Sequence, residues 1–124
     1  MTNDDSSPVS RVDAQIRDYI EGDADRFAAH YAPDAVCFQM PEGKAIATGR
    51  ADIARVWGAL FQRRKATVEI TQRIALGEMV IDHERVTNLS TGQTIEAIAA
   101  YRVCDDLIQT VWFLGPAFPV TNGD

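Results

Sequence analysis

Hydrophobic positions in the first part of the chain recur at helical spacing. The apolar residues of segment 12–20 form one stripe, and Gly22 is typical of the position just after a helix end. Asp23 is a good N-cap for a second, short helix carrying Phe27 and Tyr31, which a Pro-Asp pair then ends. These patterns predict two consecutive helices.

A short strand and a third helix are predicted next. Residues 35–40 (AVCFQM) are typical of a strand, and the Pro-Glu-Gly sequence after them closes it. The helix begins after Arg50 and ends on the cations at 63–65, which suit the negative end of a helix dipole. Its apolar residues follow the i, i+3, i+4, i+7, i+8 pattern: Ile53, Val56, Trp57, Leu60 and Phe61.

From Ala66 onward the apolar positions alternate with polar ones, which indicates strands. Four strands are predicted over residues 66–76, 79–89, 94–103 and 107–114, and the short turns between them imply an antiparallel meander. The first of these strands is predicted to have one apolar and one polar face without interruption. The apolar face holds Val68, Ile70, Ile74 and Leu76, and the polar face holds Thr67, Glu69, Thr71 and Arg73. Helices followed by strands predict the α+β class.

The composition is that of one ordinary globular domain. We expect this domain to span residues 9–115, with a disordered N-terminal tail at 1–8 and a C-terminal tail at 116–124. The net charge of -6 and the pI near 4.8 argue against binding to nucleic acid, which needs a basic surface. No apolar run is long enough to span a membrane, and the first residues are unlike a signal peptide, so we expect a cytoplasmic protein.

No motif for a cofactor or a metal ion stands out. Cys37 and Cys104 have no C-x-x-C spacing, and we interpret them as free thiols. His30 and His83 are far apart and belong to no Cys/His cluster. The sequence therefore predicts neither a cofactor nor a dedicated metal site.

The last two strands are apolar on both faces. Ile98 and Ala100 alternate with inward positions on one, and Ile108, Trp112 and Leu114 do so on the other. Helices can cover only one face of such a sheet, and a second copy of the chain is the simplest cover for the other. We therefore predict a homodimer through the outer face of the sheet.

Four stretches carry a resemblance to a known superfamily: YIEGDADRFAAHYAPDAV, MPEGKAIATGRADI, DHERVT and AAYRVCDDLIQTVWF. Their order and spacing, over roughly residues 11–114, resemble the nuclear transport factor 2-like, or SnoaL-like, superfamily. The resemblance implies a cone-shaped, curved antiparallel sheet wrapped by three N-terminal helices, also described as a cystatin-like α+β barrel, with a central pocket. It does not imply one activity, because this fold serves isomerases, dehydratases, hydrolases, polyketide cyclases and non-catalytic proteins.

Two enzyme branches of the superfamily have catalytic carboxylates that this chain lacks. The resemblance to ketosteroid isomerases places Gln39 where that branch has its base and Ala99 where it has an acidic donor. The resemblance to limonene-epoxide hydrolases is closer locally and matches Arg85 with their arginine. However, Thr87 stands where that branch has its first aspartate, and Phe113 or a neighbour stands where it has the second. Neither activity is transferred to this chain.

The sequence VIDHERVT in the second strand of the meander holds four ionisable residues in a row. If Arg85 points into the cone, as the resemblance implies, His83 and Thr87 do as well, while Asp82 and Glu84 take the outer face. We predict His83 as a general acid or base, because its unperturbed pKa lies near neutrality, and Arg85 as an anion stabiliser. A structural hydrogen bond or ion pair is the alternative for each.

Five further residues are candidates for substrate binding. Gln39 could orient a ligand carbonyl or cap the end of its strand, and Tyr101 could donate a hydrogen bond or belong to the core. Tyr19 lies one helical turn beyond the tyrosine position of the isomerase branch. Thr87 and Phe113 complete the predicted lining.

Two hypotheses about function stay open. The first is a SnoaL-like enzyme, an isomerase, dehydratase or hydrolase for an apolar ligand bearing a carbonyl or carboxylate, with His83 and Arg85 as its catalytic residues. The second is a non-catalytic ligand-binding or protein-interaction module in which both residues are structural. An open cavity lined by both would favour the first hypothesis.

Overall fold

The structure is a computed structural model that describes residues 7–116. Three helices and six strands make up this part of the chain. The helices are α1 (Pro8–Glu21), α2 (Ala24–Ala28) and α3 (Arg50–Arg63). The strands are β1 (Tyr31–Gln39), β2 (Lys44–Thr48), β3 (Ala66–Leu76), β4 (Met79–Asn88), β5 (Thr94–Cys104) and β6 (Leu107–Leu114).

The ends of the first two helices follow from local side chains. The Ser7 hydroxyl accepts a hydrogen bond from the Ser10 backbone N–H, and Gly22 closes α1 in a left-handed conformation at φ 77°. The Asp23 carboxylate accepts from the backbone N–H of Arg26 and begins α2. All three predicted helices are present, and Gly22 and Asp23 have the predicted roles.

One boundary in this region differs from the prediction. Tyr31 was placed on the second helix, but that helix ends at Ala28 and Tyr31 is the first residue of β1. The backbone N–H of Ile108 donates to the His30 carbonyl at 2.9 Å, and Tyr31 pairs with Ile108 of β6. Pairing with the sheet therefore takes the chain out of the helix before its Pro-Asp pair.

The six strands form one curved, unclosed sheet in the order β2-β1-β6-β5-β4-β3. Neighbouring strands are antiparallel except β1 and β6, which are parallel. The α+β class and the four-stranded meander are confirmed. Strand β2 was not predicted, because its sequence KAIAT is short and lies within a run of turn residues.

A β-bulge changes the faces of β3. The register shifts between Ile70 and Gln72, so that Ile70 pairs with Glu84 while Arg73 pairs with Asp82. Arg73 therefore lies on the same face as Ile70, and the two simple faces predicted for this strand are wrong. The bulge brings a guanidinium to the inner face of the sheet, where inner means the face covered by the helices.

The core lies between the helices and the inner face. Its largest fully buried side chains are Trp57, Tyr31, Phe27, Ile53, Leu60, Ile108, Val12, Val80 and Val111. Phe27 is central, with ring centroids at 5.2 Å from Tyr31, 5.5 Å from Trp57 and 5.7 Å from Phe61. The candidate site lies directly against this group of aromatic rings.

The predicted tails lie mostly outside the described residues. Segments 1–6 and 117–124 are not described, so the disordered tails expected at 1–8 and 116–124 stay predictions there. Within the described residues, Ser7 caps α1 and Pro8 is its first residue. The first helix therefore begins at Pro8, and the domain bounds of 9–115 stay a prediction.

Candidate functional site

The two faces of β4 are the reverse of the prediction. Val80 and Asp82 are fully buried and Glu84 is 9% exposed. His83 lies on the outer face with its side chain 39% exposed, and its Nε2 is 2.6 Å from Oε1 of Glu96. The prediction that His83 faces the cavity is wrong, since the strand sends it to the opposite face.

Arg85 and Thr87 share the outer face of β4. Nη1 of Arg85 is 3.7 Å from Oε1 of Glu69, and both side chains are largely exposed. The hydroxyls of Thr87 and Thr94 are 2.8 Å apart across neighbouring strands. Neither Arg85 nor Thr87 lines the cavity, so the structure does not support the roles predicted for them there.

Glu84 is the carboxylate that enters the cavity. A chain of three hydrogen bonds leads to it from the core. Tyr31 O–H donates to Oε1 of Gln15 at 3.0 Å, and Nε2–H of Gln15 donates to the Tyr101 oxygen at 3.2 Å. Tyr101 O–H then donates to Oε2 of Glu84 at 3.0 Å. The chain ends on Glu84, where one carboxylate oxygen is held by a neutral donor.

Burial controls the protonation of the side chains in this hydrogen-bonded series. Removal of Glu84 from water raises the pKa of its carboxyl from 4.5 to about 7. The Tyr101 hydrogen bond lowers this pKa, the Asp82 charge raises it and the Arg73 charge lowers it. Burial also raises the pKa values of Tyr31 and Tyr101 well above 10.0, so both hydroxyls stay protonated donors near neutral pH.

Asp82 has a different environment from Glu84, although both lie on the inner face of β4. Nε and Nη2 of Arg73 donate to the two carboxylate oxygens of Asp82 at 2.6 and 3.0 Å. Nη1 of Arg73 also lies 2.9 Å from Oδ1 of Asp13 on α1. Asp82 is thus a paired, buried carboxylate, whereas the direct partner of Glu84 is a tyrosine.

A cavity of about 70 Å³ opens between the helices and the inner face of the sheet. Much of its wall is aromatic or aliphatic, and its polar groups come from Gln15, Tyr19, Tyr31, Arg64, Glu84 and Tyr101. The volume is well below the roughly 300–1,000 Å³ of pockets for drug-sized ligands. It corresponds to roughly five water molecules at about 10–15 Å³ each. The site therefore fits a small ligand.

Tyr19 and Arg64 form the second polar part of the cavity wall. Nη2–H of Arg64 donates to the Tyr19 hydroxyl at 2.7 Å, and the guanidinium carbon is 5.7 Å from the centre of the Tyr19 ring. The Tyr19 O–H proton has no acceptor among residues 7–116. Burial raises the pKa of Tyr19, while the Arg64 charge lowers it. Tyr19 is thus a protonated donor whose oxygen is polarised by a cation.

The remaining predicted site residues divide between the cavity and the strand ends. Tyr19, Tyr101 and Phe113 line the cavity, while their role in binding stays a prediction. Gln39 does not line it; its Nε2–H donates to the Met40 carbonyl at 3.1 Å, with the Phe113 carbonyl at 3.5 Å. Gln39 therefore bonds to backbone near the strand end, which is the structural alternative considered for it.

Sequence reasoning missed Glu84, Arg64 and Gln15. Arg64 was interpreted as a helix-terminal cation, and Glu84 was assigned to the outer face because Arg85 was aligned with a hydrolase arginine. A usable signal lay in the partner strand, where Ala97 and Tyr101 are among the inward positions that alternate with Ile98 and Ala100. Glu84 pairs with Ala97, so a correct hairpin register would have placed it inside.

The chain belongs to the SnoaL-like domain family, whose model matches residues 12–111. No curated protein matches the chain significantly. Among the described residues, no group of His, Cys, Asp and Glu side chains could hold a metal ion. No helix within 7–116 is both long and apolar enough to cross a membrane.

Several solved structures share the fold at low sequence identity. A cystatin-fold protein from Novosphingobium aromaticivorans is 22% identical, with a TM-score of 0.76 over 86% of this chain and 97% of its own. A protein from Kribbella flavida, provisionally named a ketosteroid isomerase, is 20% identical, with a TM-score of 0.73 over 94% and 83%. One from Sinorhizobium meliloti, provisionally named a polyketide cyclase, is 20% identical, with a TM-score of 0.70 over 83% and 92%. These likenesses confirm the predicted fold, while the family match confirms the predicted superfamily.

Proposed function

We propose that the chain is a small-molecule enzyme that moves a proton at a carbon atom next to a carbonyl group, with Glu84 as the general base. One observation carries this proposal: a nearly buried carboxylate with a pKa of about 7 lines a small, mostly apolar cavity. A base with a pKa near the working pH is efficient in proton transfer. The names given to the similar K. flavida and S. meliloti structures, an isomerase and a cyclase, are compatible with carbonyl chemistry.

The proposed step uses groups that are already in place. The Glu84 carboxylate takes a proton from the substrate carbon, and the C–H electron pair forms the carbon–carbon double bond of an enolate. Tyr19 O–H donates to the resulting oxyanion, because its proton is uncommitted and Arg64 polarises its oxygen. The neutral Glu84 then returns the proton to the same carbon or to another, which gives exchange or isomerisation. Tyr101 holds the carboxylate through Oε2.

Exchange with deuterium tests this step without knowledge of the product. Small ketones and 2-oxo acids are incubated with the protein in D₂O, and loss of the α-C–H signal is followed by proton NMR. We expect the wild-type rate to rise with pH and level off above about 7, as Glu84 ionises. Glu84→Gln should lower the rate by about 10²-fold or more. Tyr19→Phe should lower it by about 10²-fold.

The matched control is Glu42→Gln, which changes an exposed glutamate in the turn after β1 and should leave the rate unchanged. Exchange that Glu84→Gln leaves intact in a folded protein would overturn the assignment of the base. Ligand binding without any exchange would instead support the non-catalytic ligand-binding hypothesis.

We also propose a homodimer through the outer face of the sheet. Strand register aligns five apolar residues in one row across this face: Phe38, Trp112, Ala100, Ile81 and Ile74. Ile81 is 37% and Ile74 67% exposed, although both are large and apolar. A row of this kind that crosses five strands suits a self-complementary interface. A cytoplasmic location stays a prediction.

Sedimentation velocity tests the dimer. Ile81→Glu places a charge within the row, next to the central Ala100, and should shift the protein to a monomer. Leu89→Glu, at an exposed leucine beyond the end of β4, is the control and should leave the assembly unchanged. A wild-type protein that sediments as a monomer at all concentrations would refute this proposal.

A further inference from the structure

Arg64 lies in the cavity wall without a carboxylate partner among residues 7–116. One nitrogen, Nη2, donates to Tyr19, but Nη1 is buried and has no hydrogen-bond partner among residues 7–116. A buried N–H of a cation without an acceptor is unusual, because desolvation penalises it strongly. The Arg64 side chain lines the cavity, so an anion that enters can meet a guanidinium whose hydrogen-bonding capacity is not fully used by the fold.

Six other arginines each have the carboxylate partner that Arg64 lacks within residues 7–116. A carboxylate lies within ion-pair distance of each of these: Arg11, Arg26, Arg55, Arg73, Arg85 and Arg102. Arg50 uses the backbone carbonyl of Tyr31 through two nitrogens. No carboxylate pairs with Arg64 among residues 7–116, so its charge is left for a ligand.

The two polar parts of the cavity are electrostatically different. The charges that act on the Glu84 carboxyl are those of Asp82 and Arg73, and Arg64 is not among them. Arg64 acts on Tyr19, whose pKa the Glu84 charge also raises. A ligand in the cavity therefore meets an acid–base group at one place and an unpaired guanidinium at another.

We infer that Arg64 and Tyr19 form an anion subsite that binds the carboxylate of a short-chain oxo acid. The Arg64 guanidinium would pair with this carboxylate, and Tyr19 O–H, which also lines the cavity, would donate to a carboxylate or carbonyl oxygen. The short chain follows from the cavity volume of about 70 Å³ and from its apolar wall. The carboxylate part of this inference stands on Arg64 alone, whereas the oxo group rests on the proposed function.

The subsite is tested with butyrate, which carries the carboxylate and no reactive carbonyl. Binding is followed at low salt by the fluorescence of Trp57, which lines the cavity, and by calorimetry. Butyramide is the neutral ligand of similar shape, and tetramethylammonium is the cationic one. We expect butyrate to bind wild type at least about tenfold more tightly than either comparison ligand.

Variants then assign the binding to Arg64. Arg64→Met should weaken butyrate binding at least about tenfold. Arg64→Lys keeps the charge but loses the planar, bidentate donor geometry of the guanidinium, and it should weaken binding less. Arg63→Met is the matched control, because Arg63 is exposed, adjacent in sequence and outside the cavity lining. Circular dichroism shows whether each variant is folded, and Arg64→Gln replaces the methionine variant if that one is not.

Glu84→Gln separates this inference from the proposed function. It should bind butyrate at least as tightly as wild type, because it removes a nearby negative charge. If it does so while no oxo acid exchanges deuterium, the subsite stands and the proton-transfer proposal fails. Equal butyrate binding by wild type and Arg64→Met, equal binding of butyramide, a preference for tetramethylammonium, or no binding of butyrate to wild type would each overturn the subsite.

Discussion

The pH dependence of stability offers a quantitative test of the buried Glu84 carboxyl. Its pKa rises from 4.5 in the unfolded chain to about 7 in the fold, because burial disfavours the charged form. The native state therefore holds the proton more tightly than the unfolded state does. Its contribution to stability is greatest below pH 4.5 and is lost as the pH rises to about 7.

The size of this loss follows from the shift. Each pKa unit corresponds to about 1.36 kcal/mol, so the shift from 4.5 to about 7 costs the native state about 3 kcal/mol above neutrality. Glu84→Gln keeps the shape and an acceptor for Tyr101 O–H but cannot ionise. We expect it to be more stable than wild type by about 3 kcal/mol at pH 8, and by less than about 1 kcal/mol at pH 5.

Urea unfolding followed by circular dichroism measures this difference at both pH values. A gain of about 3 kcal/mol raises the urea midpoint by about 1–3 M for a small protein. Glu42→Gln is the control, because its exposed carboxyl should give no pH-dependent difference from wild type. A difference between Glu84→Gln and wild type that is the same at pH 5 and pH 8 would refute the raised pKa.

Two further predictions concern buried groups outside the acid–base chain. Arg73→Met leaves the fully buried Asp82 without its ion-pair partner and should destabilise the fold by about 3–5 kcal/mol. Arg85→Met breaks a largely exposed ion pair and should destabilise it by under about 1 kcal/mol. Urea unfolding measures both changes in the free energy of unfolding. Cys37 is fully buried, and burial raises its pKa to about 12, so a thiol reagent should label Cys104 in the native protein and both thiols only in urea. Labelling of Cys37 in the folded state would contradict this burial.

The helices and the meander could be predicted because their patterns are local. The stripe at 12–20, the N-cap at Asp23 and the alternation after Ala66 each depend on residues close in sequence. Strand β2 and the early start of β1 could not, because both depend on pairing with distant strands. The position of Tyr31 is decided by β6, which lies far away in the chain.

Prediction of the candidate site depended on the register of β4 with β5, which the local sequence pattern does not decide. In β4 apolar residues occur on both faces, with Val80 and Val86 inside and Ile81 outside, so alternation alone permits either orientation. The pairing of Thr87 with Thr94 across the β4–β5 turn settles it. A shift of one residue in that hairpin exchanges the two faces, and with them the identity of the group that enters the cavity.

The two inner carboxylates of β4 give a physical reason to regard Glu84 as functional. The fold supplies Asp82 with a guanidinium that reaches it through a bulge, which is how a carboxylate is buried for structure. Glu84, two residues away, accepts a hydrogen bond from a tyrosine hydroxyl alone among residues 7–116, and its burial raises its pKa. A glutamine would accept the same hydrogen bond without that cost above neutral pH. A carboxylate buried at a cost in stability, in a cavity also lined by an arginine that has no carboxylate partner among residues 7–116, is the arrangement expected where protonation itself is used.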